Sequence, residues 1–208
     1  MTIEMSSGWR AVAHNRHRDA MTADPRARRF EQLVMPHLDS AYNLARWLTR
    51  NDADAQDVVQ EACMRAFKYF DGFDGQYATA WLLKIVRNTC YSWLKENRPA
   101  EEMLALDDDL NEIDRDQAAM AINASGLGRS PEELVGIRRD TERLNRAIEM
   151  LPPPYREILI LREMDDLSYR EIAEIVGVPI GTVMSRLARA RGQLQAALRN
   201  SAVGSVAS

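Results

Sequence analysis

The sequence predicts an all-α protein: two small helical domains joined by a flexible acidic linker, the C-terminal one built on a helix-turn-helix. Three observations predict it. Apolar residues recur at helical spacing over residues 30–98 and again over 141–198. Between them, Glu101 to Asp116 holds eight acids and one arginine, a net charge of −7. The stretch "SYREIAEIVGVPIGTVMSRLARARGQL", Ser168 to Leu194, reads as two short helices around a tight turn.

The chain of 208 residues has enough apolar content to bury a core in each of two domains. Its 27 basic and 31 acidic residues give a net charge of −4, so any nucleic-acid surface is a local patch. Residues 1–29, with the basic cluster "RARR" at Arg26 to Arg29, read as an extension expected to be disordered. His14 and His17 have no partner ligands nearby, and no metal site is expected. Residues 30–99 form the first helical domain. "FEQLVMPHLDSAYNLARWL" puts Leu38, Ala41, Tyr42, Ala45 and Leu48 on one face, with Pro36 at an early-helix position or a kink. "NDADAQDVVQEACMRAFKYF" offers Asp52 or Asp54 as an N-cap. Val58, Val59, Ala62, Cys63, Ala66, Phe67 and Phe70 form its inward stripe, with Gln56, Asp57, Gln60, Glu61, Met64 and Lys68 opposite. "FDGFDGQYA" breaks that helix, and a third, "ATAWLLKIVRNTCYSWLKENR", stops at Pro99.

Residues 100–140 are the acidic linker, with loop punctuation at "NASGLGRSP". The second domain, 141–199, opens with Leu144, Ala147, Ile148 and Leu151 at helical spacing; "LPPPYREILILRE" then resets the chain, and 200–208 read as a flexible tail. In the helix-turn-helix, Ser168 and Glu171 make a capping box, because hydroxyl and carboxylate can each satisfy an orphan N–H. Ala173 is small where two helices cross, Gly177 frees the turn, and Pro179 prepares the next helix. There Val183, Leu187, Ala190, Leu194 and Leu198 face inward. Ser185 and Arg189 lie opposite, Thr182, Arg186 and Gln193 on one flank, and Met184 and Arg191 on the other. From Ile175 onward there are four arginines and no acid, the chemistry a DNA-recognition helix needs for base edges and phosphates.

A second surface lies on the third helix, where Lys84, Arg87, Asn88, Tyr91 and Lys95 share a face behind Phe73, Tyr77 and Trp81. Aromatics beside cations suit single-stranded DNA, although Phe73 and Trp81 fit a core role equally. Cys63 and Cys90 sit on apolar stripes and read as buried free thiols. No apolar run approaches the ~18 residues of a membrane span, and the N-terminus lacks a signal core. A soluble, cytoplasmic protein without membrane insertion is expected.

Together "DAQDVVQEACMRAF", "AWLLKIVRNT" and "LPPPYREILILREMDDLSYREIAEIVGVPIGTVMSRLARAR" resemble the extracytoplasmic-function (ECF) group of bacterial RNA polymerase sigma factors, in that family's order and with its linker. The resemblance implies a subunit that binds core RNA polymerase and promoter DNA, acts in a stress or envelope response, and is held by an anti-sigma factor. It implies that Asp57, Gln60 and Glu61 dock on polymerase. Phe73, Gln76, Tyr77, Trp81, Lys84, Arg87 and Asn88 would act on the minus-ten element, capturing a flipped base and holding the melted strand. Thr182, Ser185, Arg186 and Arg189 would read the minus-thirty-five element. Met184 and Ala188 depart from the family, which often has a basic residue and an aromatic there.

No nucleophile–base pair, phosphate-cradling glycine loop or metal set appears, so no enzyme, cofactor or small-molecule substrate is expected. A ligand-sensing repressor or activator would share the helix-turn-helix, and a mimic that sequesters regulators would share the fold. The first has no use for a polymerase-docking helix before an aromatic-cationic stripe. The second has no use for DNA-facing arginines.

Overall fold

The computed structural model describes residues 24–97 and 131–203. Among them the secondary structure is helical, without strands. Residues 1–23 and most of the acidic linker lie outside the described residues.

Helix α1 spans Pro25–Val34, so the "RARR" cluster belongs to a helix instead of the expected extension. The Asp24 side chain caps it by accepting the Arg26 N–H, Pro25 occupies the first turn, and Ala27, Phe30 and Val34 are buried. Pro36 lies in a 3-10 turn, Met35–His37, that redirects the chain into α2, Leu38–Thr49. Arg50, in the left-handed region at φ 60°, ends α2.

The N-cap of α3 (Asp52–Tyr69) is Asn51, whose side chain accepts from the N–H groups of Ala53 and Asp54. The expectation of Asp52 or Asp54 is corrected by one residue or more. Asp52 is instead drawn to Arg46 and to the Tyr42 hydroxyl of α2. The inward stripe holds: Val58, Val59, Ala62, Ala66 and Phe70 are buried, with Cys63 and Phe67 half-buried. After a 3-10 turn, Phe70–Gly72, and a short loop, α4 runs Ala78–Asn97. Helices α2, α3 and α4 pack on one another as a bundle, with α1 against α4.

In the second half α5 spans Pro131–Glu149, entering the stretch read as linker. Leu144, expected inside, is 36% exposed, while Ala147, Ile148 and Leu151 are buried. Then come α6 (Pro153–Glu163), α7 (Tyr169–Val176) and α8 (Ile180–Val203), the last extending into the expected tail. The capping box at Ser168 and Glu171 forms, and Gly177 caps α7 at φ 77°, a backbone angle glycine adopts without penalty.

The halves do not stand apart. Helix α6 packs on α2, and α7 packs on α4, so one apolar core runs through both. Arg156 on α6, 2% exposed, fastens this contact. Its guanidinium donates to the Trp47 carbonyl of α2 at 2.8 Å and to the Ile148, Glu149 and Leu151 carbonyls at 3.2, 2.7 and 2.6 Å. One cation thereby satisfies carbonyls at the C-terminal ends of α2 and α5, where backbone acceptors lack partners and the helix dipoles favour positive charge.

Candidate polymerase and nucleic-acid surfaces

The three residues expected to meet polymerase share the outer face of α3. Asp57, Gln60 and Glu61 are exposed, with Met64, 60% exposed, one turn on. Helical spacing puts them there because the opposite face is committed to the core. Glu61 pairs with Arg65 one turn further along the helix.

The loop between α3 and α4 is held at both ends. Arg26 of α1 donates to the Phe67 carbonyl at 2.7 Å and pairs with Asp71 at 2.8 Å. At the other end the Thr79 hydroxyl and His37 Nδ1 stand 3.0 Å apart, and burial pulls the His37 pKa down. Gly75 (φ 86°) and Tyr77 (φ 51°) both take positive φ. For a tyrosine that is a costly backbone angle, and it leaves the ring 71% exposed at the foot of α4. Gln76 is exposed, its N–H bonded to Asp74 Oδ1 at 2.8 Å. Phe73 is 7% exposed and stacks on half-buried Trp81 with ring centroids 4.5 Å apart, so it is part of the core while its remaining surface lines the cavity beside the loop. A cavity of about 440 Å³ is lined by the loop residues, Trp81, Lys84 and, from the other half of the chain, Glu174 of α7.

Along α4 the expected strand-facing residues separate. Lys84 and Asn88 are exposed. Arg87 instead makes a two-point ion pair with Glu157 of α6, Nε to Oε2 at 2.9 Å and Nη2 to Oε1 at 3.2 Å. It also covers the Tyr91 ring at 4.5 Å. Glu157 has no exposed side-chain surface. Burial pushes its carboxyl above the usual range, with Arg87, Tyr91 and the charge of Arg186 pulling the other way. In this arrangement Arg87 is therefore an inter-domain contact, not an open DNA-facing cation.

On α8, Val183, Leu187, Ala190 and Leu194 are buried and Leu198 packs against the core. Ser185 is exposed, its hydroxyl donating to the Thr182 carbonyl at 3.1 Å. Thr182, Arg186 and Arg189 are half-buried, and Met184 is 54% exposed. Arg191 turns back to Glu163 of α6 at 2.6 Å.

Glu157, Arg156 and Glu174 were not among the expected site residues, yet the first two bond across the halves and the third lines the cavity. One sequence signal pointed to the contact between the halves. "EILIL" continues the helix with four consecutive apolar residues, which no single buried face accommodates, and the helix is indeed buried from Pro154 to Leu161. No group of three or more potential metal ligands occurs among the described residues, and no described helix is long and apolar enough to cross a membrane.

Known proteins match this arrangement. Residues 33–99 match the family Sigma-70 region 2, and residues 141–194 match Sigma-70, region 4. ECF RNA polymerase sigma factor SigW of Bacillus subtilis is 30% identical over 172 residues, 82% of this chain and 89% of that protein. The ECF RNA polymerase sigma-E factor of Escherichia coli is 38% identical over 141 residues, 66% of this chain and 70% of that one. SigE of Mycolicibacterium smegmatis is 31% identical, and the chain spans 60% of its length. Among solved structures, sigma factor RpoE in complex with the anti-sigma factor NepR from Bartonella quintana superposes with a TM-score of 0.58 at 30% identity, covering 82% of this chain and 96% of that one. CnrH in complex with the cytosolic domain of CnrY gives 0.57 at 25% identity, covering 87% and 93%. With both sigma regions matched in order and relatives aligned over most of their length, the chain belongs to the ECF sigma factors of RNA polymerase.

Proposed function

We propose that this chain directs core RNA polymerase to specific promoters and helps open the minus-ten element, working in the cytoplasm as a binding subunit and not as an enzyme. The observation that carries this reading is the loop at Gly72–Tyr77. A cavity about 440 Å³ in volume, walled by Trp81 and Tyr77 with Lys84 beside it, suits a base taken out of the stack. Asn88, exposed one turn along α4 from Lys84, supplies an amide for the displaced strand. Thr182, Ser185, Arg186 and Arg189 on α8 serve the minus-thirty-five element through the major groove. Asp57, Gln60 and Glu61 dock on polymerase.

The closed packing has a consequence for this reading. Glu157 occupies Arg87, and Glu174 adds an acid to the cavity wall. A strand can engage the whole α4 face only after α6 and α7 move off it. The free chain, with net charge −4, should bind duplex promoter weakly and acquire specificity within the holoenzyme. An anti-sigma factor is the partner that would hold the chain inactive, covering Asp57, Gln60 and Glu61 or packing between the domains. The complex of RpoE with NepR is the precedent.

Transcription in vitro with core polymerase on a randomised promoter pool tests this. A defined set of start sites that depends on the chain is expected. Tight, specific duplex binding by the isolated chain, with no effect on polymerase, would favour a repressor.

A further inference from the structure

The basic cluster of α1 has no part in the functions described so far. Arg26 is committed to the Phe67 carbonyl and Asp71, and it also covers the Phe67 ring at 4.6 Å. This fixes α1 against the end of α3, and so fixes the direction of Arg29, three residues on along the helix. Arg29 is exposed. Its Nη2 lies 3.4 Å from the point a Cβ on Gly75 would occupy, and its guanidinium stands 5.7 Å from the Phe70 ring centroid. No acid among the described residues forms an ion pair with it. Of the nearby loop acids, Asp71 is taken by Arg26 and Asp74 accepts the Gln76 N–H.

We propose that Arg29 is a further DNA contact of the minus-ten surface, its guanidinium binding a backbone phosphate of the unpaired strand as that strand passes the turn at Gly75. The inference rests on the reading of the loop given above and adds α1 to the surface. Bases held on aromatic rings need their phosphates neutralised close by, and Lys84 is the one cation among the residues lining the cavity, beside the acids Asp74 and Glu174. A guanidinium, planar and always charged, can present two donors to one phosphate. Glycine suits the turn because its φ of 86° lies in the region other residues rarely adopt, and the turn brings the backbone beside the Arg29 guanidinium.

The test uses holoenzyme reconstituted from the full chain and core polymerase. The probe is a promoter fragment, taken from the pool the wild type transcribes, whose minus-ten stretch is held open by mismatches. Affinity is measured over a salt series for wild type, Arg29→Ala and Arg29→Lys. Arg29→Ala should weaken binding several-fold and make the log–log salt slope shallower by about 0.7, the value for one single-strand phosphate. Arg29→Lys should keep the wild-type slope. Wild-type affinity and slope in Arg29→Ala would overturn the proposal. So would equal weakening of both variants at unchanged slope, since that signature belongs to packing on Gly75 and Phe70. A wild-type holoenzyme that transcribes nothing from the pool would overturn the sigma reading and this inference together.

Discussion

The outer face of α3 and the strand-facing side of α4 belong to one helical bundle and are in opposite situations. On α3, Asp57, Gln60 and Glu61 are exposed. On α4, Arg87 is held by a fully buried glutamate from α6, and the cavity beside Lys84 is partly walled by α7. Under the proposed roles the difference sets an order of events: the face assigned to polymerase can be used while the chain is closed, and the full face assigned to DNA cannot. It also locates the energy of closure. Arg156 and the pair Arg87–Glu157 do the fastening: on separation Arg87 and Glu157 lose each other, while Arg156 loses only the Trp47 carbonyl of its four acceptors.

The largest effect should come from Glu157→Ala. It leaves Arg87 and the nearby charge of Arg186 without their acid, and removing one partner of a buried pair costs about 3 kcal/mol or more. Denaturant unfolding should show the loss. Hydrogen exchange should speed up along α4 near Arg87 while the outer face of α3 keeps its rate. Equal acceleration at both would mean general unfolding, and would erase the contrast.

Asn88→Ala should come next. Its side chain is exposed, so unfolding should shift by less than about 0.5 kcal/mol. Open-complex formation on linear duplex should lose about 1–3 kcal/mol, with a smaller loss on a pre-melted bubble. Equal loss on both templates would argue for a general DNA contact.

Asp57→Lys reverses an exposed charge on the open face. A loss of about 1 kcal/mol in core-polymerase affinity is expected, steeper at low salt. Closure and melting temperature should be unchanged, and a shift in either would show that the two faces are coupled.

The smallest effect concerns pH. Hydrogen bonds from the Ser168 side chain and backbone hold the Glu171 carboxyl below its ordinary value. Its contribution to stability is therefore present above the ordinary carboxylate range and is lost as pH falls through the lowered value. Melting temperatures of wild type and Glu171→Gln should converge on acidification. A gap that widens in acid would have the wrong sign.

What the sequence disclosed follows from range. Ser168, Glu171 and Gly177 act on neighbours within a few residues, so the capping box and turn could be read directly. The stripe of α3 was legible because a helix must bury one face. Asn51 was missed because three capping side chains stand within four positions, and only the backbone path selects among them. Arg87 was correctly placed on the stripe of α4, but its partner lies 70 residues away, and no local pattern encodes that meeting. Phe73 fitted base or core equally in the sequence, and only the fold shows that it packs on Phe70 and Trp81 while also lining the cavity. The basic run at Arg26 looked like a solvated tail because its anchors, the Phe67 carbonyl and Asp71, are supplied by a different helix and turn.

The claim at the centre is that the free chain is closed over α4 and that polymerase opens it. Spin labels placed on exposed Lys95 of α4 and Arg170 of α7 test it by pulsed dipolar distance measurement. The native thiols should remain unlabelled, because burial pushes Cys63 up to about 11 and Cys90 higher still, leaving little thiolate. A single narrow distance in the free chain, replaced by a longer one on binding core polymerase, is the predicted result. A broad distribution in the free chain, or the same distance with and without polymerase, would contradict it.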